Sequence, residues 1–443
     1  GVVRYKINDL DEDPVKIGFD DDPDFDDGVL EDYDYSKNFY GAVKVIGFDD
    51  ENIYIADDGF DAAYIPQAEG PRIVKNRNRI AALNIATNTV SFTEEYTAKW
   101  YDEWKEWRTP DTKILLWEKG DISTYSGMKY WISNEAGTSF PGNSNALWAV
   151  PSSSQSESPT DVFCYDQDGN LYIVSPNMAD GGNRYVKRFA WNAVSDSYDT
   201  AATAPYLSLQ TSAEVKAIAV DISDGKNYLY YYTETPTDKK IERFKWGQSE
   251  HENFDMAEKD TAYSITISSG ETVTVLAANK DGVFVATKEQ ALLTAPYTLK
   301  VAKYKKGSSP VPDGVITVVS ASPAENPSPH PATGDYECYE EAVRDLQVID
   351  GVLYGISSKT TESRKYVSTH HETDVFKNSS KLYKIGATAS TLSGIEKTIG
   401  KDANDAAQTG YGFCRFIAVK YDEAERIRLI IASDGAWGTN GSG

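Results

Sequence analysis

The chain has 443 residues, 40% of them hydrophobic and 12% aromatic, and its 68 acidic against 44 basic residues leave a formal net charge of -24. That apolar content is enough for a large core and excludes a globally disordered chain. The acidic surface repels phosphate backbones and anionic headgroups. It therefore argues against nucleic-acid binding and electrostatic membrane attachment, and leaves cationic partners or metal ions.

No run of about 18 apolar residues occurs, so no transmembrane segment is expected. The chain opens without a charged and then apolar leader, so any secretion signal is expected to have been removed or never to have existed. Cys164, Cys338 and Cys414 are far apart and odd in number. They form neither a disulfide framework nor a C-x-x-C motif, though one pair is left free to bridge. The Tyr-, Asn-, Asp- and Ser-rich, Cys-poor composition suits a bacterial periplasmic or surface protein.

In chain order, VVRYKIN from Val2 to Asn8 alternates apolar with basic positions and reads as a strand, with DPVKIGF after it as a neighbour. The acidic segment Asp20–Gly28 follows. It places Asp22, Asp24 and Asp26 at alternate positions, as the opening of a calcium loop does. Asp27 then stands where such a loop needs Gly, and Tyr33 where a bidentate Glu would close the shell. A solvated acidic connection is the favoured reading and no cofactor is expected, with calcium at Asp22, Asp24 and Asp26 as the alternative.

A repeated unit begins next: an apolar strand, an Asp/Asn/Gly turn and a β-rich tetrad. Its copies are FDDEN-IYIA ending at Ala56, YDQDGN-LYIV at Val174, SDGKNY-LYYY at Tyr232, NKDG-VFVA at Ala286, VIDGV-LYGI at Ile356 and YDEAERIR-LIIA at Ala432. Each reads as a β-hairpin. The Asp and Asn residues of these turns, Asp166 and Asn170 among them, recur wherever a tight turn needs them. Turn chemistry therefore explains them better than calcium does. A second hairpin with a basic opening follows most copies, as in NRIAALNIATNTVSF from Asn78, NRYVKRFAW from Asn183, KKIERFKW from Lys239, LKVAKYKK from Leu299 and SKLYKIGA from Ser380.

Two hairpins make four antiparallel strands, the blade of a β-propeller, whose radial repetition protects sheet edges. The first interval between tetrads is about twice the others. A further blade fits there from Lys113–Gly120, Met128–Ser133 and Ala146–Val150, so seven blades are favoured over six. The last tetrad lacks a second hairpin, and Val2–Phe19 is expected to supply it. The fold class is thus all-β: a single propeller domain over 1–443. Its blades fall near 20–93, 109–160, 161–212, 213–270, 271–320, 336–400, and 411–443 completed by 1–19.

Within the long interval, EEYTAKWYDEWKEW spaces Tyr96, Trp100, Trp104 and Trp107 at four, four and three residues. That period gathers all four rings on one face of a short helical insertion near 94–108. The rings either pack onto the propeller or form an aromatic platform for sugars or apolar peptide groups. His251, His330, His370 and His371 have no partners at metal-ligand spacing and read as surface or structural residues. No G-x-S-x-G, H-E-x-x-H or P-loop pattern occurs, and no catalytic residue is assigned.

TDVFCYDQDGNLYIVSPN followed by GGNRYVKRFAW resembles propellers of the NHL and YWTD type, a likeness that specifies a blade and no activity. NIYIADDGF with NRNRIAALNIATNTVSF resembles uncharacterised secreted lipoproteins of spirochaetes, although no lipobox cysteine is present. The expected function is a non-enzymatic, extracytoplasmic binding or scaffold protein, monomeric, that holds a protein, peptide or glycan. Its partner-facing rim would be Tyr64–Lys75, Pro151–Thr160 and Ser320–Asp335, together with the aromatic insertion. The alternative, by fold analogy, is a propeller hydrolase or lyase acting on sugars or lactones with a divalent cation at the channel mouth.

Overall fold

The computed structural model describes residues 2–6, 15–18, 37, 39, 42–48, 52–57, 79–84, 86–92, 129–131, 146–149, 162–166, 170–178, 182–192, 197–198, 205–222, 225–247, 251–291, 295–307, 311–321, 334–349, 352–367, 370–387, 392–399, 414–422 and 426–433. The chain divides into two compact units. One comprises Gly1–Asp161, Phe189–Ala204 and Ala418–Gly435, and the other Val162–Arg188, Pro205–Ile417 and Ala436–Gly443.

In chain order the strands begin with β1 (Val2–Lys6), β2 (Val15–Ile17), β3 (Ala42–Phe48), β4 (Asn52–Asp57), β5 (Arg79–Asn84) and β6 (Thr89–Phe92). Next come β7 (Lys129–Trp131), β8 (Ala146–Ala149), β9 (Phe163–Tyr165), β10 (Leu171–Met178), β11 (Arg184–Phe189), β12 (Trp191–Asn192), β13 (Ser197–Tyr198) and β14 (Tyr206–Ser208). They continue as β15 (Glu214–Asp221), β16 (Lys226–Glu234), β17 (Lys239–Gly247), β18 (Glu258–Thr266), β19 (Glu271–Asn279), β20 (Gly282–Gln290), β21 (Tyr297–Lys305) and β22 (Pro312–Ala321). The last are β23 (Gly334–Ile349), β24 (Val352–Val367), β25 (His370–Ala387), β26 (Leu392–Ile399), β27 (Cys414–Asp422) and β28 (Arg426–Ser433). A 3-10 turn at His251–Met256 is the one helical element among the described residues.

The second unit holds four antiparallel four-stranded sheets in succession: β14-β11-β10-β9, β15-β16-β17-β18, β19-β20-β21-β22 and β23-β24-β25-β26. Each tetrad of the sequence repeat lies on the second strand of its sheet in chain order, and the tetrad is apolar because both its faces are covered. On β16, Leu229 and Tyr231 belong to a core shared with the preceding sheet, alongside Tyr172, Val174 and Val186. Tyr230 and Tyr232 belong to a second core shared with the following sheet, alongside Val273, Val283 and Val285. Phe284 and Ala286 on β20 then join Leu346, Leu353, Tyr383 and Ile385 in a third. Sheets stacked face to face through successive cores form a propeller-like body of four blades. This corrects the expected count of seven, or six.

The other unit contains the sheets β3-β4-β5-β6 and β2-β1-β28-β27, with the two-stranded pairs β7-β8 and β12-β13. In the segment assigned to a further blade, 109–160, the described residues supply only the β7-β8 pair, Lys129 opposite Ala149. The N-terminal strand pairs with the last tetrad: Val2 lies opposite Ala432, Arg4 opposite Ile430 and Lys6 opposite Arg428. Val2, Val3 and Tyr5 are buried there.

One irregularity recurs at the same register. The first strand of a sheet carries an extra residue opposite the last residue of the tetrad: between Ala42 and Lys44 facing Ala56, Val215 and Ala217 facing Tyr232, Val273 and Val275 facing Ala286, and Val343 and Asp345 facing Ile356. A bulge bends and twists its strand locally. The four extra residues, Val43, Lys216, Thr274 and Arg344, have no common chemistry, so the sequence pattern did not expose them.

Candidate functional site

The residues singled out for binding or metal, Asp22, Asp24 and Asp26 in the acidic segment and Tyr96, Trp100, Trp104 and Trp107 in the aromatic segment, lie outside the described residues, as does the expected helix near 94–108. So do the loops 64–75 and 151–160 and most of 320–335. His370 and His371 open β25, with His371 opposite Tyr366. Among the described residues, no group of three or more His, Cys, Asp or Glu is placed to hold a metal ion.

The Asp166 turn has the chemistry of a hairpin. Asp166 accepts from the Asn170 backbone N–H at 2.9 Å, from Asn170 Nδ2 at 2.8 Å and from the Tyr172 hydroxyl at 3.0 Å. The Asp166 N–H closes the turn on the Asn170 carbonyl at 3.0 Å. With both carboxylate oxygens engaged inside a buried turn, this Asp builds backbone geometry and does not present charge to a cation. Burial, and next the Asp166 carboxylate, push the Tyr172 hydroxyl well above its ordinary range.

A dense polar cluster lies between the second and third blades of the four. Arg243 on β17 is opposite Tyr230 on β16, and alternation places Tyr228 on the same sheet face. The guanidinium carbon sits 3.8 Å from the Tyr263 ring centre and 4.5 Å from that of Tyr228. Its Nε and Nη2 donate to Asp260 Oδ2 at 2.9 and 2.7 Å. This is a stacked and ion-paired arginine, a role that its planar, weakly hydrated head suits better than a lysine ammonium does. Lys306 adds a second cation, 5.1 Å from the Tyr228 ring centre and ion-paired with the fully buried Asp221.

Between the third and fourth blades, buried Glu341 accepts from the Tyr297 hydroxyl and from Ser357 Oγ at 3.4 Å, and Ser357 shares a hydrogen bond of 3.1 Å with Tyr383. These networks place their charged groups between blades, where each has partners from the fold. Their chemistry is cohesion: a buried charge that loses its partner is strongly destabilising. The sequence reading missed both. The available signal was the pair of facing runs KNYLYYYTE and KKIERFKWG, in which a basic residue falls opposite a tyrosine.

Fold and polar interior together define an all-β, propeller-like protein. Residues 1–109 match the family described as the TdpA C-terminal domain. Over 113 residues, 25% of this chain and 22% of the relative, the chain is 34% identical to the 53 kDa membrane antigen A of Treponema denticola. The match thus spans less than a quarter of that relative's length. Among solved structures, a mutant Bombyx mori beta-fructofuranosidase in complex with sucrose superposes with a TM-score of 0.29 at 8% identity, over 75% of this chain and 62% of that one. A glycoside hydrolase superposes at 0.27 and 9%, over 90% and 96%. At such scores the likeness carries no argument about activity. No helix among the described residues is long and apolar enough to cross a membrane.

Proposed function

We propose that this chain is a non-enzymatic, extracytoplasmic surface protein of a bacterium, whose propeller-like body supports loops that hold a protein, peptide or glycan partner. The observation that carries the reading is the 34% identity over 113 residues to a protein named as a membrane antigen. The interior is consistent with it, since Asp166, Arg243 and Glu341 are engaged in holding turns and blades. Within this reading, the aromatic segment Tyr96, Trp100, Trp104 and Trp107 is the contact surface, and Asp22, Asp24 and Asp26 form an acidic connection with a weak affinity for calcium.

Protease treatment of intact cells tests the location: the protein should be cleaved without lysis, and full protection until lysis counts against the reading. Glycan and protein-partner arrays test the activity. Binding that is lost in Trp100→Ala and Trp104→Ala supports the aromatic surface. Turnover of a sugar or lactone by the purified protein removes the non-enzymatic assignment.

A further inference from the structure

The outermost strands of the four blades do not protect themselves equally. Sheet edges are guarded by shortness, charge, Pro or bulges, because an open row of N–H and C=O groups is a template for another strand. β14 has only three residues, β18 carries Glu258, Lys259 and Asp260, and β26 carries Glu396 and Lys397. β22 has ten residues and, among the described residues, ends its sheet with no strand beyond it. Its charge is confined to Asp313, which is paired with Lys305 at 3.2 Å. From Gly314 to Ala321 there is none.

The same strand exposes apolar surface. Val315 is 54% exposed and Val311, just before the strand, 63%. Thr317 is exposed as well, while Ile316 and Val318 pack against the interblade core. Two bulges, at Asp313–Gly314 and at Val318, twist the strand against β21.

The run Val315-Ile316-Thr317-Val318-Val319 reads almost the same in both directions. Laid antiparallel on a copy of itself and centred on Thr317, it sets Val315 opposite Val319, Ile316 opposite Val318 and Thr317 opposite Thr317. All five residues are β-branched, and Thr–Thr and aliphatic cross-strand pairs are favourable. We propose that the outer edge of β22 is a homodimer interface, at which two copies of this chain join their third blades through antiparallel β22–β22 pairing about a two-fold axis at Thr317. Such pairing is isologous and closes at two subunits. A contact of five residues is below the size of obligate interfaces, so the association is weak and concentration-dependent. It revises the expectation of a monomer.

Sedimentation velocity on the full chain, over a dilution series through the micromolar range, tests it. The wild type should show a reversible monomer–dimer equilibrium. Thr317→Lys and Thr317→Glu each set like charges against each other on the axis, and each should raise the dissociation constant about tenfold or more. An equimolar mixture of the two sets Lys against Glu and should restore the dimer. Val315→Lys, at another exposed position, provides a second probe if either Thr317 variant melts early by circular dichroism. A wild type monomeric throughout, variants that dimerise like the wild type, or a mixture no better than its components would overturn the proposal.

Discussion

Tyr230 and Tyr231 are neighbours in the chain and belong to different cores, Tyr231 to the one shared with the preceding blade and Tyr230 to the one shared with the following blade. Both are fully buried. Either Tyr→Ala change should cost about 3–5 kcal/mol, as for other large aromatic truncations. Tyr231→Phe should cost less, about 1.5–3 kcal/mol, because it removes the hydroxyl that donates to the Glu242 carboxylate Oε2 at 2.9 Å and spares the ring. Chemical denaturation of the three variants gives the comparison, and equal losses for Tyr231→Phe and Tyr231→Ala would contradict it.

Arg243 is held by geometry as much as by charge. Arg243→Lys keeps the charge but loses the two-nitrogen grip on Asp260 and the stack on Tyr228 and Tyr263. It should destabilise by about 1–3 kcal/mol, and Arg243→Ala by about 3–5, since the latter leaves Asp260 without its cation. Recovery in Arg243→Ala/Asp260→Asn relative to Arg243→Ala, measured in a double-mutant cycle, is the expected sign of that stranded carboxylate.

Alkaline pH should act through the tyrosines. Burial pushes the Tyr383 hydroxyl up from 10.0 to about 12, with the Glu341 charge adding to the rise against the Ser357 hydrogen bond. Burial raises Tyr230, Tyr231 and Tyr263 further. In the unfolded chain these groups ionise near 10. Their contribution is therefore fully present below pH 10 and is lost as the pH rises through the folded values. Absorbance titration should show a group of tyrosines ionising late and together with unfolding. Full ionisation near pH 10 with the fold intact would refute it.

Gly282 follows the two-residue turn between β19 and β20 and opens β20 with φ of +148°. A Cβ there would lie 2.0 Å from the Tyr304 carbonyl oxygen. Gly282→Ala should destabilise by about 1–3 kcal/mol from backbone strain alone, and by more through the contact. Lys280→Ala, in the same turn and exposed, should be close to neutral in the same thermal melt.

Removing residues 1–19 takes both β1 and β2 from the sheet β2-β1-β28-β27. It opens the β28 edge and uncovers the apolar surface that Val2, Val3 and Tyr5 bury. Lower soluble yield and earlier proteolysis of 426–433 are expected, and unchanged protease resistance there would count against a structural role for the N-terminal strands.

The repeat was legible because one strand per blade is covered on both faces, which forces an apolar run such as LYYY or VFVA whatever the rest of the blade contains. The turns were legible too, since Asp166 and Asn170 are selected by backbone demands that few residue types meet. The number of stacked blades was not. Spacing shows how many hairpins fit between tetrads, but not which sheets share a core. The interior ion pairs were hidden for another reason: Arg243 meets Tyr263 and Asp260 through β18, whose pairing with β17 shifts between Glu242 and Phe244. A register shift of that kind leaves no mark in composition or periodicity.

The extra residue opposite Ala56, Tyr232, Ala286 and Ile356 has a genetic consequence. A strand's side chains alternate between two faces, so loss of a single codon anywhere in such a strand exchanges the contents of adjoining cores. In β15 and β19 a substitution injures one contact, whereas an in-frame deletion reassigns every contact beyond it. Drift in this chain should therefore be stricter in length than in letters at these positions.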